Sequence, residues 1–380
     1  MDIEFKILKK MKQYYFLIIL IIMASCSENE KDNFTLIEVK QGSKIDDLNI
    51  NNLKIVPLEV TPKSIIATIA KIEFYADEYY VLDAQYNNLM VFDEKGSFKR
   101  NIGGTGRGPG EFTKARDFNI DRQAKTISII SNNEKKILNY DLQGNFFKDE
   151  NLKVFGNMFA VSGDKKYVYI NHNDNDLSEK NNILIFNSEN EIIEKAYPFP
   201  ETKNLIYTSS GFLGKFNDEI LFNPALSDTI FRIDNQLEGD IKYVFDFGTN
   251  QLPTKVRVSS EKYMSESQNY QYLLKDFIEK DGFLIFSYSM DGFAKTGIAK
   301  IVDNKNTTKK IQSKTLNFPY CIPAGVHGNK ILSYAYHYQL KDKKNKKAID
   351  SLIMVNKNLS KIIGDEKQGD NPVLITYTVE

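Results

Sequence analysis

Three features predict an all-β fold, a six-bladed β-propeller. Short apolar segments alternate with Gly, Asn and Asp clusters. A strand-turn-strand unit recurs every 40 to 50 residues or so. Strand-like segments flank the repeats at both ends. The predicted exception is one short helical insertion near residues 259–280. Hydrophobic residues are 42% of the 380 and charged residues 26%, ordinary globular usage that argues against wholesale disorder. Lys+Arg and Asp+Glu are both 50. That zero formal charge argues against a globally basic nucleic-acid binder. Two Cys rule out a disulfide scaffold or a Cys-rich zinc module, and three His leave few options for a His-based metal cage.

The clearest copies of the unit are adjacent. Glu78 to Asp83 is followed by Asn88 to Asp93 and a Lys95-Gly96 turn. Lys125 to Ile130 is followed by Lys136 to Asp141 and a Gln143-Gly144 turn. Asp and Gly at those positions suit a tight antiparallel connection: Asp bonds its own backbone and Gly supplies positive φ. Weaker copies pair residues 167–171 with 183–187, 220–223 with 229–234, 283–287 with 297–302, and 331–334 with 351–356. First strands thus begin near 79, 126, 167, 220, 283 and 331, hence six blades. Lys54 to Val60 and Val373 to Val379 are expected to close the ring, which removes exposed strand edges.

Within Ser259 to Lys280, the residues Tyr263, Ser267, Tyr270, Leu274 and Phe277 recur at helical spacing, with Ser259 or Ser260 as the cap. This aromatic stripe is expected to pack on the propeller. The charge run Lys341 to Lys347 is expected to form a solvated hairpin loop.

The amino terminus carries an address. Tyr14 to Ala24 is an apolar run of 11 residues behind Lys12, too short to span a bilayer and suited to the core of a secretory signal peptide. Met11 is a plausible true start. Ala24 and Ser25 precede Cys26, a pattern that resembles the lipobox of bacterial lipoproteins. Residues 1–25 then form the signal peptide, residues 26–50 a lipidated cysteine with a flexible tether, and residues 51–380 the propeller. Acyl chains on Cys26 would hold the protein at a membrane. The polar, acidic stretch Ser27 to Asp32 resembles a surface-export signal of some Gram-negative bacteria. The expected location is the bacterial cell envelope, lipid-anchored in the outer membrane, facing either the periplasm or the cell surface.

Gly106-Arg107-Gly108-Pro109-Gly110-Glu111-Phe112, followed by Asp117 to Asp121, resembles the signature of NHL-type propeller repeats. From about Val56 to the end, the chain is similar to bacterial six-bladed β-propeller lipoproteins, mostly of unknown function. Its further markers are Leu226 to Phe231, the insertion before Phe283, and Asn371-Pro372-Val373-Leu374. Such a resemblance implies a fold and not an activity.

Within GRGPGEF, the glycines suit a tight crossing between blades, and Arg107 and Glu111 could pair with each other. Alternatively, Arg107 and the backbone amides could form an anion-binding rim. His337, among the tyrosines of Tyr334-Ala335-Tyr336-His337-Tyr338, is the third candidate ligand-binding residue beside Arg107 and Glu111. His172 and His327 stand alone, and Cys321 is expected to be a buried thiol. Asn171 to Asp176 has the composition of a calcium loop but not its spacing. No HExxH, GxSxG or GxxxxGK[ST] occurs, so no catalytic residue, metal ligand or cofactor is assigned. Absence of Trp lowers the expectation of a glycan site without removing it, since Tyr can stack on sugars.

The reading is an envelope-anchored, monomeric binding module. Its partner would be a glycan, a peptide or an envelope protein, and the loops at one end of the channel would make the contacts. The alternatives are a calcium-dependent lactonase-like or lyase-like propeller enzyme and a structural subunit of an envelope complex. A chain beginning at Ser27 is expected to be a soluble β-rich monomer by circular dichroism and sedimentation; a strongly helical spectrum would contradict the predicted fold.

Overall fold

The structure, a computed structural model, describes residues 34–39, 50–173, 175–199, 211–216, 219–233, 240–301, 309–316, 322–355, 358–364 and 371–380. Cys26, the leader and Cys321 lie outside them. Strands dominate. After β1 (Thr35–Val39) and β2 (Ile50–Pro57), the first meander is β3 (Ile69–Tyr75), β4 (Glu78–Asp83), β5 (Asn88–Asp93) and β6 (Phe98–Ile102). Short β7 (Gly104–Thr105) and β8 (Glu111–Phe112) pair in parallel before the second meander. That meander is β9 (Ala115–Asp121), β10 (Thr126–Ser131), β11 (Lys136–Asp141) and β12 (Phe146–Asn151). The third is β13 (Met158–Ser162), β14 (Lys165–Tyr169), β15 (Asn181–Phe186) and β16 (Ile192–Pro198), and the fourth β17 (Phe212–Phe216), β18 (Glu219–Asn223), β19 (Thr229–Ile233) and β20 (Asp240–Asp246). The fifth is β21 (Tyr272–Lys280), β22 (Phe283–Met290), β23 (Phe293–Lys300) and β24 (Lys309–Leu316). The last is β25 (Ile322–His327), β26 (Lys330–Ala335) and β27 (Val373–Val379), completed by β2 from the other end of the chain.

The predicted turn chemistry is in place. Asp93 Oδ1 accepts the amides of Lys95 and Ser97, both at 2.9 Å. Gly96 sits at φ +85°, and a Cβ there would lie 2.0 Å from the Pro57 carbonyl oxygen. Asp141 repeats the device with the amides of Gln143 and Asn145. The predicted pairings of 167–171 with 183–187, 220–223 with 229–234 and 283–287 with 297–302 are met within the described residues: Tyr167 faces Ile185, Ile220 faces Ile233 and Phe283 faces Lys300. The terminal segments meet as expected, with Val56 opposite Leu374.

Four expectations are corrected. Residues 351–356 are not the partner of 331–334. Lys346–Val355 is a helix, and Tyr334 pairs with Leu374 instead. The reason is periodicity: Ile349 and Leu352, three apart, bury one helical face against Leu340 and Leu359. The charge run before it is accordingly helical and not a hairpin loop. The 259–280 insertion is not one helix. Thr254–Arg257 (α1) and Ser260–Glu266 (α2) are helical, with Ser259 Oγ capping the Lys262 amide, but residues 272–280 are β21. Tertiary pairing of β21 with β22 overrides the local helical spacing. Finally, the tether assigned to residues 26–50 contains β1, which inserts in parallel between β20 and β24. Ile37 is fully buried there and Val39 nearly so. Both neighbouring edges are thereby covered, and two meanders merge into one nine-stranded sheet.

The first strands make a circuit: β3 lies against β9, β9 against β13, β13 against β17, β17 against β21, β21 against β25, and β25 against β3. Each meander reverses direction at every turn. Connections from second to third strand, and from one meander to the next, therefore share one end, the loop end. The other connections share the opposite, turn end. Bonds between neighbouring connections agree: the Ile69 amide donates to Tyr336 Oη, Lys114 Nζ to Ala84 O, Asn132 Nδ2 to Gly156 O and the Ala225 amide to Tyr169 Oη. The remaining helices are His337–Lys341 (α3), Lys346–Val355 (α4) and Asn358–Gly364 (α5). With α1 and α2 they all belong to the loop end.

Ile37→Ala is expected to cost about 2–5 kcal/mol in chemical denaturation, the usual loss for a fully buried isoleucine. Thr35→Ala on the same strand is expected to stay within about 0.5 kcal/mol. Equal, negligible effects would mean that β1 is not part of the folded body.

Candidate functional site

Polar side chains gather on the first strands. Lys71 on β3 reaches Asp117 Oδ1 at 3.0 Å and Glu73 Oε1 at 3.2 Å, and donates to Asn119 Oδ1 on β9 at 3.2 Å. Asp117 Oδ2 accepts the Phe159 amide of β13 at 3.1 Å, and Asn119 Nδ2 donates to the Phe159 carbonyl at 2.7 Å. Burial alone would lower the Lys71 ammonium, but Asp117 and Glu73 outweigh it and hold it above its ordinary range. Burial raises Glu73 against the pull of Lys71. These groups stitch three first strands together, so their main work is structural.

Asp228 does the same between the fourth and fifth meanders. It accepts the Leu273 amide at 2.9 Å and Gln251 Nε2 at 3.0 Å, and pairs with Arg257. Arg257 also caps the Leu226 and Leu252 carbonyls. The segment Leu226 to Phe231 thus holds a buried clasp. The open depression beside it, about 590 Å³, is lined by the clasp itself.

Asp276 is different. It sits on a bulge of β21: Leu273 faces Tyr288 and Phe277 faces Phe286, so residues 274–276 together oppose Ser287 alone. Such bulges re-aim side chains and are common beside functional sites. Its carboxylate accepts Ser287 Oγ at 3.3 Å, within its own meander. No hydrogen bond ties it to a neighbouring meander among the described residues. Burial raises its pKa, opposed by Lys275 and Ser287. It lies within the electrostatic reach of Tyr334, whose hydroxyl is pushed far up by burial and then by Asp276.

From Tyr334 a ladder of rings leads outward. Tyr334 is buried and meets Tyr336 edge-on at 5.5 Å; Tyr336 stacks on Tyr338 at 5.7 Å and 12°. Tyr338 is 69% exposed. The spacing of alternate tyrosines comes from the end of β26 running into α3. The Tyr336 amide donates to Gln339 Oε1 at 2.8 Å, which fixes the turn. A carboxyl group near a graded series of tyrosines can hold an amine or hydroxyl at its inner end. It can stack an aliphatic, sugar or aromatic face along its length.

The predicted candidates are at the loop end but are not brought together. Arg107 and Glu111 are exposed in the crossing from β6 to β9, and they form no ion pair with each other. Glu111 instead accepts the Gly108 amide at 2.8 Å. Gly110, at φ +72°, leaves no room for a Cβ, which would lie 2.6 Å from Phe146 Cβ; Tyr140 Oη donates to its carbonyl. The segment is built as a tight crossing. His337 is 4% exposed at the start of α3, while the flanking Tyr336 and Tyr338 form the outer rungs. Sequence reasoning saw this cluster and chose the histidine; it missed Asp276, which lies in a strand that also carries Lys275, Glu279 and Lys280 and so gives no distinct signal.

The other flagged groups among the described residues have local partners. Burial pushes His172 down to about 4, beside Asn182 Nδ2 at 3.3 Å. Asn175 Oδ1 accepts the Leu177 and Ser178 amides, an ordinary Asx turn. His327 lies at the turn end, stacked on Phe74 at 3.5 Å and bonded to Tyr79 Oη at 3.0 Å. Among the described residues no group of three or more His, Cys, Asp or Glu could hold a metal ion.

Asp276→Asn keeps an acceptor for Ser287 and removes a charge that burial disfavours. An acid whose folded-state pKa is raised is penalised as pH rises above its unfolded value of 3.8. The variant is therefore expected to melt higher than the parent at pH 7 and equal to it near pH 3; a lower melting temperature at pH 7 would mean that the carboxylate is paired.

No curated protein matches the chain. A candidate exported protein of Bacteroides fragilis NCTC 9343 has a similar structure, with TM-score 0.70 and 17% identity, covering 91% of this chain and 99% of that one. A Bacteroides vulgatus member of the DUF4221 family follows at TM-score 0.56 and 9% identity, covering 89% and 99%. Virginiamycin B lyase of Staphylococcus aureus reaches only 0.43 at 12% identity, covering 74% and 95%, too distant to carry any argument about chemistry. Residues 32–378 match the model of a domain of unknown function, DUF4934, and the chain belongs to that family.

Proposed function

We propose that the protein is a six-bladed β-propeller lipoprotein of the bacterial envelope. In this reading its loop end binds an exported ligand, a glycan or peptide, or a partner protein. The six four-stranded meanders are the blades, and their first strands surround the channel. Acylation of Cys26 provides the anchor, and the likeness to a candidate exported protein supports the compartment.

The observation that carries the binding reading is the tyrosine ladder that descends from exposed Tyr338 toward the bulged carboxyl of Asp276. It combines aromatic faces with a polar group that no stitch between meanders uses. The surface around it agrees. The four most exposed large hydrophobic side chains of the described residues are Met354, Met264, Tyr338 and Phe293, and all belong to loop-end connections or their margins. Exposed apolar groups gathered on one end of a protein mark an interaction surface.

The test is a glycan array and a peptide library probed with the parent chain, Asp276→Asn and Tyr338→Ala. A specific binder is expected to lose about ten-fold in affinity, ~1.4 kcal/mol, with either substitution. Glu94→Ala at the turn end is expected to change nothing. Binders that ignore both loop-end substitutions, or the absence of any binder, would count against this site.

A further inference from the structure

The direction of β1 has a consequence for how the molecule sits on a membrane. β1 runs parallel to both β20 and β24, with Thr35 opposite Tyr243 and Lys309, and Glu38 opposite Asp246 and Gln312. β20 and β24 are fourth strands, so they run from the turn end to the loop end. β1 is therefore entered from the turn-end side, with Thr35 level with the start of β24 and the middle of β20, on the perimeter between the fourth and fifth meanders. Buried Ile37 and Val39 pin the strand there.

Cys26 precedes Thr35 by nine residues. At full extension that spans about 30 Å. Bringing the loop end to the bilayer would require those residues to reverse and run back past β1, about 10 Å along β20 from Tyr243 to Asp246 or about 23 Å along β24 from Lys309 to Leu316. Only the remainder, about 7–20 Å, would then be left to reach lipid. With the turn end toward the bilayer the full length is available.

We infer that, given acylation of Cys26 as proposed above, the turn end faces the bilayer and the loop end is presented away from it. The exposed Met264, Met354, Phe293 and Tyr338 are then not a membrane-insertion patch. They face the aqueous side and suit a soluble partner or ligand arriving from there.

The chain contains no Trp, so a single introduced Trp is a unique donor fluorophore. Asp240→Trp places it at the exposed start of β20, beside the entry of β1, and Met264→Trp places it on α2 at the loop end. The acylated full chain is inserted into phosphatidylethanolamine–phosphatidylglycerol vesicles that carry a dansyl-headgroup lipid. Energy transfer is expected to be several-fold higher from position 240 than from position 264. Equal or reversed transfer in an acylated, vesicle-bound chain would overturn the orientation and leave the anchor standing. Mass spectrometry that finds no acyl group, with vesicle binding unaffected by Cys26→Ser, would remove the anchor and this orientation with it.

Discussion

The pairing of β2 with β27 is the constraint on which the rest depends. It joins residue 56 to residue 374 and completes the last meander. Closing so long a loop is not prohibitive, since each doubling of loop length costs only about 0.6 kcal/mol. The gain is that both strands lose an exposed edge and the circuit of first strands is shut. Asn371 reinforces the junction from a buried position, accepting the Ile66 amide at 2.8 Å and donating to the Glu59 and Ser64 carbonyls at 2.9 and 2.7 Å. With all of these bonds made, the polar group stabilises the junction; an unmet buried amide would do the opposite.

First strands of neighbouring meanders are not hydrogen-bonded partners in any sheet. Side chains supply what the backbone omits. Lys71, Asp117 and Asn119 connect the first three meanders, Asp228 with Arg257 connects the fourth to the fifth, and Asp83 anchors the Ala67 and Thr68 amides of the incoming crossing. Against this background an inner-strand acid with no such duty stands out. Asp276 carries the penalty of burial and sits on a bulge within electrostatic reach of Tyr334. Perturbed acids cluster at functional sites, and the proposed binding site rests on that pattern together with the tyrosines.

Much of this was legible in the sequence. Strand pairs joined by Asp-Gly turns announce themselves because each turn needs particular residues at particular positions, as at Asp93–Gly96. The closing strands were readable because both ends are apolar and β-branched. What failed were segments where a short apolar spacing fits either period. Residues 272–280 look helical until β22 is beside them, and residues 351–356 read as a strand until the face that Leu352 shares with Ile349 is seen. β1 was missed because five residues of strand inside a polar, acidic stretch carry little local signal; only the two edges waiting at β20 and β24 select that conformation. For the site, the sequence showed the aromatic cluster around His337 but not which rings face outward. Asp276 belongs to no motif, because its position depends on a bulge.

The claim that one closed ring fixes the loop end as a single platform can be measured directly by native-state hydrogen exchange. The amides of β2 and β27 are expected to exchange only with global unfolding, at the same free energy as those of central strands β4 and β5. Exchange of β2 and β27 at a much lower free energy, while β4 and β5 stay protected, would show a ring that opens at its seam and would contradict the account.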